Sequence, residues 1–344
     1  MQAPVDVALL SSGPTLGWRR ADEAFAAQVR EAGATCALVR VSIGRAGLLK
    51  RHPAATDLVE AAAAWHAAAW LPPARDVVIS SVTTSFFVRP RQPYAIRFDA
   101  PARLNRPGAA GAWQRGIEPH VLARASLLLP WSAEAAAPLQ LERSRVIALG
   151  VPVERIAAAS RRDIDVLAYA GNPHKRGLGL LCSAWEHAGS PGRLVIGGIA
   201  AAEGREWLAS HGVREPAGVE WAGVAPRQDW LALLGRARAF VNAARFEDHG
   251  LAPLEALSGG AVLITVPSPG PYPALAMARA LAPDLVAAER SAVALADALR
   301  AGLARSEGER RDYAQRADSL LAPHRAQAIS RTVADVVLPA LGVT

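Results

Sequence analysis

Apolar runs of five or six residues alternate with longer stretches at helical spacing along almost the whole chain. The first run, VDVALL (5–10), is followed by the turn SSGPTLGW and a helical stretch, RRADEAFAAQVREAG, that stops at Gly33. A glycine there suits a helix C-cap, because it adopts the left-handed conformation without steric cost. The strand TCALVRV (35–41) comes next, and further strands are predicted at 76–80, 94–98, 125–130 and 145–149, with helices over 54–70, 110–124 and 132–141. Most of these runs are continuously apolar, as in strands buried on both faces. Their alternation with helices predicts a parallel sheet covered on both sides.

After GVPVERIAAASRRD the alternation restarts: IDVLAYAG, a helix over 175–188, RLVIGG, a helix over 201–210, VEWAG, a helix over 226–236, ARAFVNAA, a helix over 250–258, and AVLITV. The expectation is an α/β chain of two Rossmann-like doubly wound domains facing a cleft, residues 1–155 and 156–325. The final segment, 326–344, is apolar at helical spacing and is expected to cross back to the first domain.

Candidate chemistry concentrates in RFEDHGLAPLEALSGGAVLITV (245–266), where Glu247 precedes a helix that begins at Gly250 or Leu251 and Glu255 lies within it. Eight residues of helix would separate the two carboxylates by about 12 Å along the axis, on different faces. That is a poor glycosidase dyad, which needs two carboxyls across one bond. It suits an elongated ligand whose hydroxyls meet each acid at a different point. The helix start offers N–H groups and partial positive charge to a phosphate. From these residues alone, the acids either contact such a ligand or decorate a helix start, where acids are favoured.

The stretch EDHGLAPLEALSGGAVLIT resembles the E-x7-E signature of the retaining GT-B glycosyltransferases of the family-four, group 1 type. YAGNPHKRGLGLLCSAW is similar to that family's glycine, basic pair and glycine before a helix, and LVIGG and VEWAGVAPRQDWLALLGRARAFVNAA follow in the family's order. In the first half, ARASLLLPWSAEAAAPL and VIALGVPVERI resemble the segments that close the family's first domain. The resemblance implies the GT-B fold and transfer of a hexose from a nucleotide-diphosphate sugar to the hydroxyl of a glycan, glycolipid or small-molecule acceptor. Configuration would be retained, without a metal or other cofactor. It also implies Glu247 on the donor sugar, Glu255 on the ribose, and Lys175 and Arg176 on the diphosphate, with Gly171, Asn172, His249, Gly250 and Leu251 around the nucleotide. Gly13 and Gly17 fit the family's glycine-rich turn loosely. Where the family often has a histidine, AIRFDAPARLNRPG offers Arg97 and Asp99, so Asp99 is the expected acceptor-side catalytic group. The adjacent basic pair departs from the family's wider spacing, which leaves one diphosphate cation replaced or missing. A nucleotide-sugar epimerase or phosphorylase on the same fold, and a non-catalytic nucleotide-sugar-binding protein, are the alternatives.

Composition narrows the partners. Hydrophobic residues make up 51% and charged residues 20% of the 344, as in a folded globular protein. A net charge of +7 favours anionic partners, either nucleotide phosphates or peripheral contact with an anionic membrane. The arginines are scattered and no DNA- or RNA-binding motif accompanies them, which argues against nucleic acid. No run reaches the 18–20 apolar residues of a membrane span, and MQAPVDVALLSSG lacks a basic leader, so a cytoplasmic location is expected, including the inner face of the membrane. DID (163–165) mimics a metal-binding D-x-D but stands at a strand start, and the eight histidines show no ligand spacing. Cys36 and Cys182 read as buried thiols. Trp18 either covers an acceptor sugar or packs on the core.

Overall fold

A computed structural model of the chain describes residues 4–13, 15–42, 53–139, 142 and 145–343, the first three of 53–68 by backbone alone. The chain divides into two compact units, Met1–Pro152 with Ala326–Thr344, and Val153–Arg325. Each is built on a five-stranded, wholly parallel sheet.

The sheet of unit one comprises β1 (Val5–Ser11), β2 (Cys36–Arg40), β3 (Ala74–Ser80), β4 (Tyr94–Phe98) and β5 (Leu127–Pro130), in the order β2-β1-β3-β4-β5. Alternate residues feed two cores. Leu10, Val77, Ile79, Ile96 and Leu128 pack with Ala61, Ala64, Phe86 and Leu122 on one face. Val7, Leu9, Val78, Ala95 and Leu129 pack on the other with Phe25 and Val29 of helix α1 (Leu16–Glu31). The terminal segment joins this second core through Ile329, Val333, Val337 and Leu341, spaced four residues apart so that they share one helical face.

The sheet of unit two comprises β6 (Ile164–Tyr169), β7 (Leu194–Gly197), β8 (Val219–Gly223), β9 (Ala237–Asn242) and β10 (Val262–Thr265), in the order β10-β9-β6-β7-β8. The strand order reverses between β6 and β9, and in such sheets ligands bind outside the carboxyl ends of the strands at that reversal.

Several local expectations change. The strand expected at 145–149 is reduced to one bridge, Leu128 with Val146, although Ile147 and Leu149 still donate to the carbonyls of Leu128 and Pro130. Pro130 has no N–H to return a bond, so the ladder stays incomplete. α1 begins at Leu16, where the Thr15 side chain caps the Trp18 N–H, so Gly17 lies in a helical first turn and not in a glycine-rich loop. The helix expected over 132–141 shortens to Ala133–Ala136 and a 3-10 turn to Leu139; residues 140 and 141 lie outside the described part. The helix expected over 175–188 breaks at Gly177, whose φ of 69° ends Pro173–Arg176 before Leu178–His187 begins. Cys182 is buried, whereas Cys36 is half-exposed. Trp18 packs on Trp131, ring centroids 4.4 Å apart, and is 9% exposed. Among the described residues no helix is long and apolar enough to cross a membrane.

Arg97, expected beside Asp99 where the family often has a histidine, is instead sealed inside unit one at 1% exposure. Its guanidinium lies over Phe25 and Trp131 and 3.5 Å from Asp22, which also accepts from the hydroxyls of Ser11 and Ser80. Burial pushes the Asp22 carboxyl up, against the opposing pull of Arg97, and pushes Arg97 down to about 10. Removing one partner of such a pair leaves an uncompensated buried charge. Asp22→Ala should therefore lower the unfolding free energy by about 3–5 kcal/mol. Glu23→Ala, which breaks the exposed pair with Arg40, should cost no more than about 1 kcal/mol. Denaturant unfolding of both variants is the check, and equal losses would deny Asp22 this role.

Candidate functional site

The loops after β6 and β9 meet at the strand-order reversal of unit two. The first runs through Gly171 and Asn172 into Pro173–Arg176, where the Asn172 side chain caps the Lys175 N–H at 2.9 Å. The second runs from Ala243 to Gly250 and into the helix Leu251–Ser258. They are tied by a backbone bond from the Arg245 N–H to the Lys175 carbonyl, 2.9 Å, and by two ion pairs, Arg176 with Glu247 and Lys175 with Asp248. Glycines make this approach possible. A Cβ on Gly177 would stand 2.1 Å from the Ala243 carbonyl oxygen, and one on Gly250 (φ 76°) 2.8 Å from the Tyr272 ring and 3.1 Å from the Glu247 side chain.

Glu247 is 2% exposed, and its Oε2 accepts from Arg176 and, at 3.4 Å, from Asn242. Arg176, expected on a diphosphate, is turned onto this carboxylate and lies over the Tyr169 ring. The reason is electrostatic: a carboxylate so deeply buried needs a compensating cation. Burial pushes the guanidinium down, but the charge and hydrogen bond of Glu247 outweigh that and hold it above its ordinary range. Beneath the pair, Asn242 donates to the Tyr272 hydroxyl at 2.8 Å, and burial keeps that phenol well above its usual range and so protonated. The loop after β10 closes the floor: the Glu247 N–H donates to the Pro269 carbonyl at 3.0 Å, and a Cβ on Gly270 would stand 2.3 Å from the Glu247 carbonyl.

Glu255, at 8% exposure, is held at both oxygens, by Arg227 at 2.6 Å and the Trp230 indole N–H at 3.0 Å. Arg227 also grips Glu154 at 2.7 Å. Each carboxylate keeps further acceptor capacity, since an ionised carboxyl offers about four lone-pair sites. Leu251 opens the helix, Gly250 gives it no side-chain cap, and Pro253 supplies no N–H to the first turn. His249 is 2% exposed, inside the loop.

Unit two thus gathers Gly171, Asn172, Lys175, Arg176, Glu247, His249, Gly250, Leu251 and Glu255 around one sheet edge. Gly17 and Asp99 belong to unit one, where Asp99 follows β4, half-buried, its Oδ1 accepting from the Ala100 N–H at 2.7 Å. Asn242, Tyr272, Arg227, Trp230 and Asp248 escaped the sequence reading. Asp248 stood inside the quoted motif, and PSPGPY (267–272) advertised a tight turn after the last strand; nothing local marks the others. Asp163 stands at the amino end of β6, with Arg236 at 2.6 Å and Arg193 at 3.2 Å. Among the described residues no group of three or more His, Cys, Asp or Glu is placed to hold a metal.

Residues 164–305, which contain this edge, match the family model described as glycosyl transferases group 1. That stretch makes up most of unit two, which is thus similar to a glycosyl transferase group 1 domain. No curated protein matches the chain. Among solved structures, sucrose-phosphate synthase from Thermosynechococcus elongatus is similar with a TM-score of 0.72 at 15% identity, over 98% of this chain and 99% of that one. WaaG, a glycosyltransferase involved in lipopolysaccharide biosynthesis, aligns with a TM-score of 0.69 at 17% identity, over 96% and 99%. HepE of Anabaena, solved in complex with UDP and glucose, aligns with a TM-score of 0.69 at 11% identity, over 97% and 99%. Identities this low speak for the fold, and the fold is the two-domain α/β architecture of the GT-B glycosyltransferases.

Within unit two, Gly177→Ala tests the close approach of the two loops. Left-handed strain and the clash with the Ala243 carbonyl should together cost about 2–4 kcal/mol. Gly189→Ala has a similarly positive φ but nothing within 4 Å of its Cβ, so it should cost only the strain. Thermal unfolding of the two variants measures the difference, and equal shifts would mean the loops have room to spare.

Proposed function

We propose that the chain is a retaining hexosyltransferase that moves a sugar from a nucleotide diphosphate to an acceptor hydroxyl. The observation that carries this reading is the pair of buried, arginine-held carboxylates, Glu247 and Glu255, at the strand-order reversal of a glycosyl transferase group 1 domain.

In this reading the hexose hydroxyls donate to Glu247 and the ribose hydroxyls to Glu255. The diphosphate lies against the start of the helix Leu251–Ser258, with Lys175 and Arg176. A guanidinium has five N–H donors, so Arg176 can hold Glu247 and a phosphate oxygen together. As the glycosidic bond breaks, negative charge grows on the leaving phosphate, and donors already fixed in place stabilise it without reorganising. The acceptor hydroxyl attacks the face that the nucleotide leaves, which retains the anomeric configuration. Asp99 is the acceptor-side group of this proposal. The UDP bound by HepE and the UDP-forming trehalose-phosphate synthase of Burkholderia xenovorans, another similar structure, put UDP-sugars first among donors to try. A screen of nucleotide sugars by thermal stabilisation, followed by product analysis, separates transfer from epimerisation, phosphorolysis and binding alone.

Transfer is proposed to run without a divalent ion, because Lys175, Arg176 and the helix start supply positive charge where the diphosphate would lie. A chelator should leave the rate unchanged; loss of transfer that a divalent ion restores would refute this.

The two glutamates should separate kinetically. Glu255→Gln should weaken nucleotide and donor alike, because the ribose contact exists before and during reaction. Glu247→Gln should lower kcat by about 10²-fold while changing nucleotide affinity far less, the scale of losing one preorganised polar contact. Calorimetry with free nucleotide and turnover on folded variants decide it. The opposite pattern reverses the two roles, and two silent variants sink the site.

A further inference from the structure

Helix α2 (Pro53–Ala68, PAATDLVEAAAAWHAA) is built with its charges inward. Its two formally charged residues, Asp57 and Glu60, are 6% and 8% exposed, and Asp57 is bound by Arg106 at 2.7 Å and Gln114 at 3.0 Å. Apart from His66, its exposed positions are apolar. Leu58, Ala62, Trp65 and, just past the helix, Ala69 follow one another at spacings of four, three and four, so the helical ones share a single stripe. Leu58 is 44% and Trp65 64% exposed, and Trp70 stands out at 74%. Phe87, 39% exposed, and Arg89 adjoin the stripe, and with Ala62 and Trp65 they line a shallow cavity of about 370 Å³. The Arg89 guanidinium is fixed there by the carbonyls of Val88 and Phe86, at 2.9 and 3.1 Å.

Charge in this stretch of chain is one-sided. From residue 56 to 93 the acids Asp57, Glu60 and Asp76 are all buried, while Arg75, Arg89 and Arg91 are exposed. A second copy of the same face would bring arginine against arginine with no acid to receive it. An anionic lipid surface answers both features, since tryptophans settle at the headgroup level and arginines meet phosphates. Sixteen residues of helix span about 24 Å, short of the hydrocarbon core, so the helix would lie in the interface and not across it.

We propose that the outer face of α2, through Leu58, Trp65, Trp70 and Phe87 with Arg89 and Arg91 beside them, docks unit one on an anionic bilayer surface. This stands independently of the transfer chemistry, because none of these residues belongs to the site in unit two. The test is co-sedimentation of the full chain with phosphatidylcholine vesicles, with and without about 30% phosphatidylglycerol. The unmodified protein should bind the anionic vesicles and release as salt screens the arginines. Trp65→Ser with Trp70→Ser should weaken binding about tenfold or more while leaving the circular dichroism unchanged. Arg89→Gln with Arg91→Gln should remove the preference for anionic over neutral vesicles. No vesicle binding by the unmodified protein, undiminished binding by the double tryptophan variant, or a dimer in light scattering that this variant turns to monomer would each overturn the proposal.

Discussion

A carboxylate at 2% exposure keeps its charge only if a cation comes to it, and the meeting of Glu247 with Arg176 is the constraint around which the edge of unit two is arranged. The partners arrive on two loops from neighbouring strands, 71 residues apart in the chain. For the pair to form, those loops must touch. Gly177 lacks the Cβ that would strike Ala243, Gly250 turns left-handed between Glu247 and Tyr272, and Gly270 lets the next loop pass under the Glu247 backbone. The glycines, the Lys175–Asp248 pair and the buried Tyr272 phenol are conditions of that one contact as much as features of their own.

The second carboxylate is fixed differently, and the difference ties the site to the body of its domain. Arg227 holds Glu255 and Glu154 together, and Ser258, at the far end of the same helix, donates to the Glu154 carbonyl at 2.6 Å. Arg325 then reaches Ser258 at 2.7 Å. The first and last residues of unit two are thereby stitched to the helix that bears Glu255. In the proposed reading, that rigid mount suits a ribose contact made equally in the bound and reacting states, and the loop-borne Glu247 would lie where charge redistributes.

Unit one sets its charges by an opposite logic. It draws Asp22 and Arg97 wholly inside, at the cost of desolvating both, and binds them with two serine hydroxyls and two aromatic faces. Helix α2 also sends its acids inward and leaves Trp65, with Trp70 just past its end, in water. The apolar surface that a free-standing domain would hide is here displayed, which is why it invites a covering partner.

The sequence alone determined what local physics controls. Strands buried on both faces must be apolar throughout, so VDVALL, DVVIS and AVLITV announced parallel sheets, and two series of them announced two Rossmann-like domains. The spacing of Glu247 and Glu255 around a helix start was legible because helical rise is constant. Whatever depends on which distant segments meet was not. The doubly wound expectation implied a strand-order reversal, but which residues of the loops after β6 and β9 meet there leaves no trace in an alternation of elements. Nothing near Arg97 distinguishes a surface arginine from one that answers a buried aspartate 75 positions earlier. AAAAWHAAAW reads alike whether its tryptophans are covered or bare. Local sequence sets periodicity and backbone geometry; the partners of buried charges, and the faces left open to water, are settled only when the sheets close and each charge must find its counterpart.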